Sequence, residues 1–161
     1  MNNDVVIKTD KINFNYRIAI VIKNGNKVLL QKDDRTNHLT LPGGRCRLGE
    51  SSKNTAIREM KEETGLDCIY KNNLAVVENF FVSSFTNKKM HEILMFVELE
   101  FKDEKNYHVD IIKNIENEKD KFKHLTYIWK DVDNLQNINV KPGVIKNIVK
   151  SKEFLHYIIE E

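Results

Sequence analysis

The sequence predicts an α/β fold in which a mixed β-sheet is covered on both faces. Runs rich in Val, Ile and Phe precede and follow one well-capped helix, and a second amphipathic stretch comes late, an order that suits a sheet held between helical layers. At 161 residues, with 40% hydrophobic and 31% charged content, the chain has the length and composition of one domain with a real core and without long disorder. No repeat, low-complexity tract or linker divides it, so residues 1–161 read as a single domain.

In chain order, residues 1–11 are polar apart from Val5, Val6 and Ile7 and predict a short edge strand or a frayed end. Residues 16–22 predict a strand, Asn24-Gly25 is a hairpin turn signal, and residues 27–31 return as a second strand, so this hairpin opens the sheet. A polar loop carrying Arg35 follows. His38, read as a solvated loop residue, leads into Pro42-Gly43-Gly44, where glycines let the backbone approach a ligand closely. Arg45 and Arg47 flank Cys46. In an extended segment both arginines leave one face, where they either meet phosphate or stay solvated and paired with acids.

The next element is the best specified. Ser51 or Ser52 supplies an N-cap oxygen, residues 54–64 contain no Gly or Pro, and Gly65 stands where a helix commonly ends in a left-handed residue. Beyond it, residues 66–70, 74–85 and 91–101 predict long antiparallel strands, with Phe80, Phe81 and Phe85 read as core aromatics in preference to a nucleobase stack. Residues 102–123 are charged and predict a loop or a variable strand pair. Residues 125–129 predict a strand and 131–135 a short turn or helix start. Pro142 then introduces an amphipathic helix carrying Val144, Ile145, Ile148 and Val149, and the apolar residues of 154–159 predict docking of the end.

On the central helix, steps of 100° put Ala56, Ile57 and Met60 on one side and Glu59, Glu62 and Glu63 on an adjacent arc of about 100°. Like charges three and four residues apart each cost a helix roughly 0.2–0.5 kcal/mol. Glu62 and Glu63 also lie in the last turn, where the helix dipole disfavours anions. Taken alone, such a cluster reads as a solvated face; a divalent cation between the carboxylates would relieve it instead.

The wider spacing decides between the two. Gly44, five residues, Glu50, seven residues, then Arg58, Glu59, Met60, Lys61, Glu62, Glu63, Thr64, Gly65 and Leu66 form a pattern expected by chance on the order of once in 10⁹ starts from background frequencies. It resembles the Nudix box, Gly-x5-Glu-x7-Arg-Glu-U-x-Glu-Glu-x-Gly-U with U apolar, at every fixed position, and the flanking pattern is compatible with a Nudix domain over most of the chain. The resemblance implies a Nudix-type α/β/α sandwich with a mixed β-sheet, the box forming a strand-loop-helix unit.

The same resemblance implies hydrolysis of the diphosphate linkage in a nucleoside diphosphate joined to another moiety, of nucleoside triphosphate or nucleotide sugar type, with Mg2+ or Mn2+ as cofactor. Glu59, Glu62 and Glu63 match positions that bind metal, and the carbonyl of Gly43 matches a backbone ligand. Glu62, Arg58 and Glu50 match the catalytic positions: Arg58, four residues before Glu62, orients carboxylates, and Glu50 either braces the loop or joins the metal shell. Which carboxylate takes the proton stays open. Hard cations take oxygen ligands, neutralise a diphosphate and acidify water, so the residue types suit the chemistry. Arg45 and Arg47 are the candidates for holding substrate phosphate. A further acid is expected from a late loop before a strand near Trp129, with Glu118 favoured over Glu116. Phe81 falls near the place where ADP-ribose hydrolases carry proline, and the tyrosine associated with dinucleoside polyphosphate hydrolases is missing, so neither mark selects a substrate. The competing reading is a non-catalytic, nucleotide-sensing Nudix domain; such domains usually lose acids from the box, and here none is lost.

A net charge of +2 gives no electrostatic reason to expect nucleic acid or a membrane surface as partner. No apolar run approaches the ~20 residues needed to span a bilayer. Cys46 and Cys68 have no close spacing, and no secretory leader is visible, so a reduced cytoplasmic location is expected, with Cys46 a filler and not a nucleophile. The expected partner is a small-molecule nucleotide, and a homodimer is left open.

Overall fold

Residues 18–22 form an unbroken apolar run, which suits a strand buried on both faces rather than one with a wet side. In the computed structural model, which describes residues 3–113 and 125–161, this run sits at the centre. Its strand, β2 (Ile12–Val21), follows the short β1 (Val6–Lys8). Ile18, Ile20 and Ile22 pack on one side with Ala56 and Met60 of helix α1 (Ser52–Thr64). Ala19 and Val21 pack on the other with Ile145 and Ile148 of the single-turn helix α2 (Ile145–Ile148). The fold is therefore a mixed α/β sandwich, as expected.

The remaining strands are β3 (Lys23–Asn24), β4 (Lys27–Asp33), β5 (Leu39–Thr40), β6 (Gly43–Arg45), β7 (Cys68–Val82), β8 (Lys89–Phe101), β9 (Ile111–Lys113), β10 (Leu125–Asp131) and β11 (Leu155–Glu160). A six-stranded sheet runs in the order β1-β2-β8-β7-β11, with β6 also pairing β2. It is mixed: β2 and β8 are parallel, β7 and β8 antiparallel, β7 and β11 parallel. A five-stranded sheet runs β3-β4-β10-β9, with β5 on β4.

Several expectations change in detail. Gly25, at φ 57°, turns the chain after Asn24 and a short hairpin forms, with Lys23 opposite Val28 and Asn24 opposite Lys27, but the longer arms part: β2 joins the larger sheet and β4 the smaller, because the edges of β2 are taken by β8 and by β1 and β6. The two expected runs after the helix are one strand, β7, whose register shifts near Asn72 and between Asn73 and Ala75 absorb the polar interruption. Pro142 precedes the late helix, which closes only one turn; Ile145, Ile148 and Val149 are nevertheless fully inside. The end docks as strand β11. Residues 104–108 and 132–137 form short 3-10 turns. Glu116 and Glu118 lie outside the described residues. No helix among the described residues is long and apolar enough to cross a membrane.

Candidate active site

The site begins with a close approach of three chain segments. Strand β6 pairs antiparallel with β2, placing Gly43 opposite Ala19, Gly44 opposite Ile18 and Arg45 opposite Arg17. A Cβ added at Gly43 would strike the carbonyl oxygen of Ile18, and one at Gly44 would strike the carboxylate of Glu59. The glycine pair is therefore what allows α1 to press a carboxylate against the strand. Helix α1 is capped as its sequence requires: the Ser51 hydroxyl accepts from the Asn54 amide at 3.1 Å, and Gly65 closes the other end at φ 73°.

Arg58 ties the site together. Its Nε donates to Glu50 Oε1 at 2.8 Å, and its Nη2 to Glu50 Oε2 at 2.9 Å and to the Arg45 carbonyl at 3.0 Å. Its Nη1 donates to Glu59 at 2.7 Å and to Glu62 at 3.0 Å. These bonds use the full donor set of a guanidinium. Glu50 is braced further by the Thr55 hydroxyl at 2.9 Å and the Arg47 amide at 3.2 Å. The Arg58 hydrogen bonds, opposed by burial and aided by Thr55, pull the Glu50 carboxyl from 4.5 down to about 2. Burial pushes Glu59 the other way, with Arg58 opposing. The helix thus relieves its own acidic repulsion by an internal cation.

Glu63 turns towards β10, where the fully buried Tyr127 donates to it at 2.5 Å. Glu62 is the open member, its side chain 42% exposed against 13% for Glu59, and Arg47 reaches it at 3.3 Å. Glu59 and Glu63 border a cavity of about 680 Å³ together with Gly43, Gly44, Arg45 and Arg47; Gln31, Arg35, His38 and Phe85 line it as well. Both arginines expected near phosphate are at this cavity, although Arg45 also lies 3.7 Å from Asp4.

Three residues that bear on the site have no role there that the sequence assigns, although His91-Glu92 resembles a pair seen at this point in some Nudix sequences. Arg17 lines the cavity across from Arg45, and its Nε lies 3.9 Å from Glu92. Glu92 is buried, which raises its pKa against the pull of Arg17 and of a hydrogen bond from Asn79. Tyr127 is the third. A lone Arg in an apolar strand, and a Tyr in a strand far from the helix, carry only a faint signal, because strand alternation alone does not say which neighbour each will meet. Cys46 is buried, in keeping with a filler.

The donor set suits a hard divalent cation: three carboxylates and a nearby backbone carbonyl, all oxygen. As the side chains stand, no three His, Cys, Asp or Glu among the described residues converge to hold an ion. Arg58 holds Glu59 and Glu62, and Tyr127 holds Glu63. Receiving a cation requires these carboxylates to turn from those partners, while Arg58 keeps its bonds to Glu50 and the Arg45 carbonyl.

The NUDIX domain family model matches residues 14–148. A protein of Bacillus subtilis (strain 168) named uncharacterized Nudix hydrolase YvcI is 29% identical over 139 residues, covering 84% of this chain and 80% of that protein. Among solved structures, a UDP-X diphosphatase superposes with a TM-score of 0.60 at 19% identity, covering 88% of this chain and 66% of that one. An ADP-ribose pyrophosphatase from Streptococcus suis 89-1591 superposes with a TM-score of 0.57 at 17% identity, covering 90% and 98%. At these identities the two structures speak for the fold.

Proposed function

Because the chain belongs to the NUDIX domain family, we propose that it hydrolyses the diphosphate linkage of a nucleoside diphosphate joined to another group, using magnesium or manganese. The observation that carries this reading is the acidic face of α1 beside one cavity: Glu59 and Glu63 line it together with Arg17, Arg45 and Arg47, and Glu62 is tied to Glu59 through Arg58. Carboxylates and guanidiniums around one cavity suit a diphosphate bound together with a divalent cation.

Glu59, Glu62 and Glu63, with the Gly43 carbonyl, would hold the cation, which supplies charge neutralisation and a more acidic water when bound. Arg45, Arg47 and Arg17 would grip phosphate oxygens through planar, paired N–H donors. Arg58 is the positioning residue: anchored on Glu50, it sets where Glu59 and Glu62 start. Glu62, the most exposed of the three, is the proposed acceptor of the proton released from the attacking water.

A panel of nucleoside triphosphates, nucleotide sugars, ADP-ribose, dinucleotides and capped RNA, scored for phosphate or pyrophosphate release with magnesium or manganese, tests the proposal. Metal-dependent release from a diphosphate-linked nucleotide is the expected result. Binding of a nucleotide with no release from any substrate would replace the hydrolase with a nucleotide sensor.

A further inference from the structure

The cavity is not lined by charged groups throughout. Of the three phenylalanines that end β7 and begin the following turn, Phe80 stacks on His91 at 4.4 Å, while Phe85 alone of the three borders the cavity. Phe85 is 66% exposed, and the turn that presents it is ordered by its own bonds: the Ser83 amide donates to the Lys88 carbonyl at 2.9 Å and the Asn87 amide to the Ser83 carbonyl at 2.8 Å. The Ser83 hydroxyl also accepts from the amides of Phe85 and Thr86, each at 3.3 Å. Opposite, the Arg35 guanidinium lies 5.6 Å from the Phe85 ring centre, held by a two-pronged pair to Asp33 at 2.9 and 2.6 Å. An apolar ring is thus held out, in a fixed turn, into a cavity otherwise lined mainly by charged and polar groups.

A second observation in the same cavity, on β4, points to a ligand with hydrogen-bonding edges. Gln31 borders the cavity, yet its Oε1 is shielded from water and has no hydrogen-bond partner. Buried polar atoms are nearly always satisfied, so this one leaves a capacity that the fold does not use. A flat ring system with N–H groups on its rim would use both features, stacking its face on Phe85 and offering an edge to the Gln31 carboxamide.

We propose that the part of this cavity reached by the turn after β7 and by β4 is the seat of the substrate's nucleobase, with Phe85 as the stacking plate and Gln31 as the edge reader. The proposal rests on the hydrolase reading of the same cavity and extends it to the group that the phosphates carry. Stacking tolerates any base, whereas the carboxamide favours one edge over others, so Gln31 is the residue that selects among bases.

The test is calorimetric titration, with magnesium present, of the wild-type protein and of Phe85→Ala, Phe85→Trp and Gln31→Leu. The probes are the α,β-methylene analogues of ATP, GTP, CTP and UTP, with inorganic tripolyphosphate alongside. At least one nucleotide should bind wild type about tenfold or more tightly than tripolyphosphate, as one stacked base contributes. Phe85→Ala should erase that advantage and leave tripolyphosphate unchanged, Phe85→Trp should keep it, and Gln31→Leu should narrow the spread among the four bases. Nucleotide binding by Phe85→Ala equal to wild type overturns the seat. So does wild-type binding of tripolyphosphate as tight as that of every nucleotide, an outcome that leaves the hydrolase reading standing. If wild type binds neither tripolyphosphate nor any nucleotide, the seat is overturned, while the hydrolase reading is decided by release from the wider substrate panel.

Discussion

Tyr127 and Glu63, 64 residues apart in the chain, are joined by a 2.5 Å hydrogen bond from phenol to carboxylate. The bond links β10 of the smaller sheet to the last turn of α1, and Tyr127 is fully buried while making it. Burial and the Glu63 charge together raise the phenol's pKa, so it stays a donor at any working pH. Tyr127→Phe keeps the packing and removes only the donor. The expected cost is about 1–2 kcal/mol in urea denaturation, with magnesium affinity changed much less than by loss of Glu63 itself. Unchanged stability would show that water replaces the phenol at no cost.

The carboxylates themselves should separate stability from activity. Glu62→Gln and Glu63→Gln are each expected to fold as wild type and to lower turnover by roughly 10²-fold or more. Wild type should gain thermal stability on adding magnesium, because ligand binding to the folded state alone stabilises it. Each variant should gain less. Near-normal turnover by both variants would remove these residues from the proposed site.

Arg58 sets an acid limb of stability. The Glu50 carboxyl titrates at about 2 in the folded protein against an ordinary 4.5, so the unfolded chain takes up its proton first as pH falls. The stability from ionised Glu50 is complete above about pH 4.5 and is lost progressively as pH falls towards about 2. Arg58→Met should shrink that limb, leaving only what Thr55 and the Arg47 amide hold, and should also lower stability at pH 7, by about 3 kcal/mol, since Glu50 and Glu59 lose a half-buried partner. Urea denaturation at pH 3, 4, 5 and 7 measures both. Parallel pH profiles for the two proteins would break the link between Arg58 and Glu50.

Arg17 provides a test of the guanidinium wall. It lies opposite Arg45 in the β2–β6 pairing and borders the cavity, and it is 41% exposed, so its removal leaves the core intact. Arg17→Ala should raise KM for a diphosphate-linked nucleotide about tenfold, the loss of one charge-assisted bond, with a smaller change in kcat. Glu92→Gln, which removes the carboxylate charge 3.9 Å from Arg17, should shift KM in the same direction by less. Steady-state kinetics that leave KM unchanged in Arg17→Ala would confine phosphate binding to Arg45 and Arg47.

What the chain declares locally is read correctly from the sequence. Helix α1 runs almost as predicted, from the Ser51 cap to the left-handed Gly65, because its signals act within one or two turns. The same is true of the bond between Arg58 and Glu62, four residues apart on one face. The apolar run of residues 18–22 likewise marked a strand, since burial on both faces leaves no room for polar alternation.

Tertiary structure decided the rest, for reasons of sequence distance. Turn chemistry at Asn24-Gly25 specifies a reversal but not that β2 and β4 then enter different sheets, which depends on β8 and β10 competing for their edges. The parallel docking of β11 on β7 joins residues about eighty positions apart, a pairing that no local pattern announces. Glu59, Glu62 and Glu63 were legible as a group from helical spacing alone. Their neighbours were not: Tyr127 arrives from β10, Arg17 from β2, Gln31 from β4 and Phe85 from the turn after β7, and the last two share only the lining of the cavity. A helix writes its own face into consecutive residues, whereas a cavity is made where distant strands converge, and that convergence is set by long-range pairing and burial.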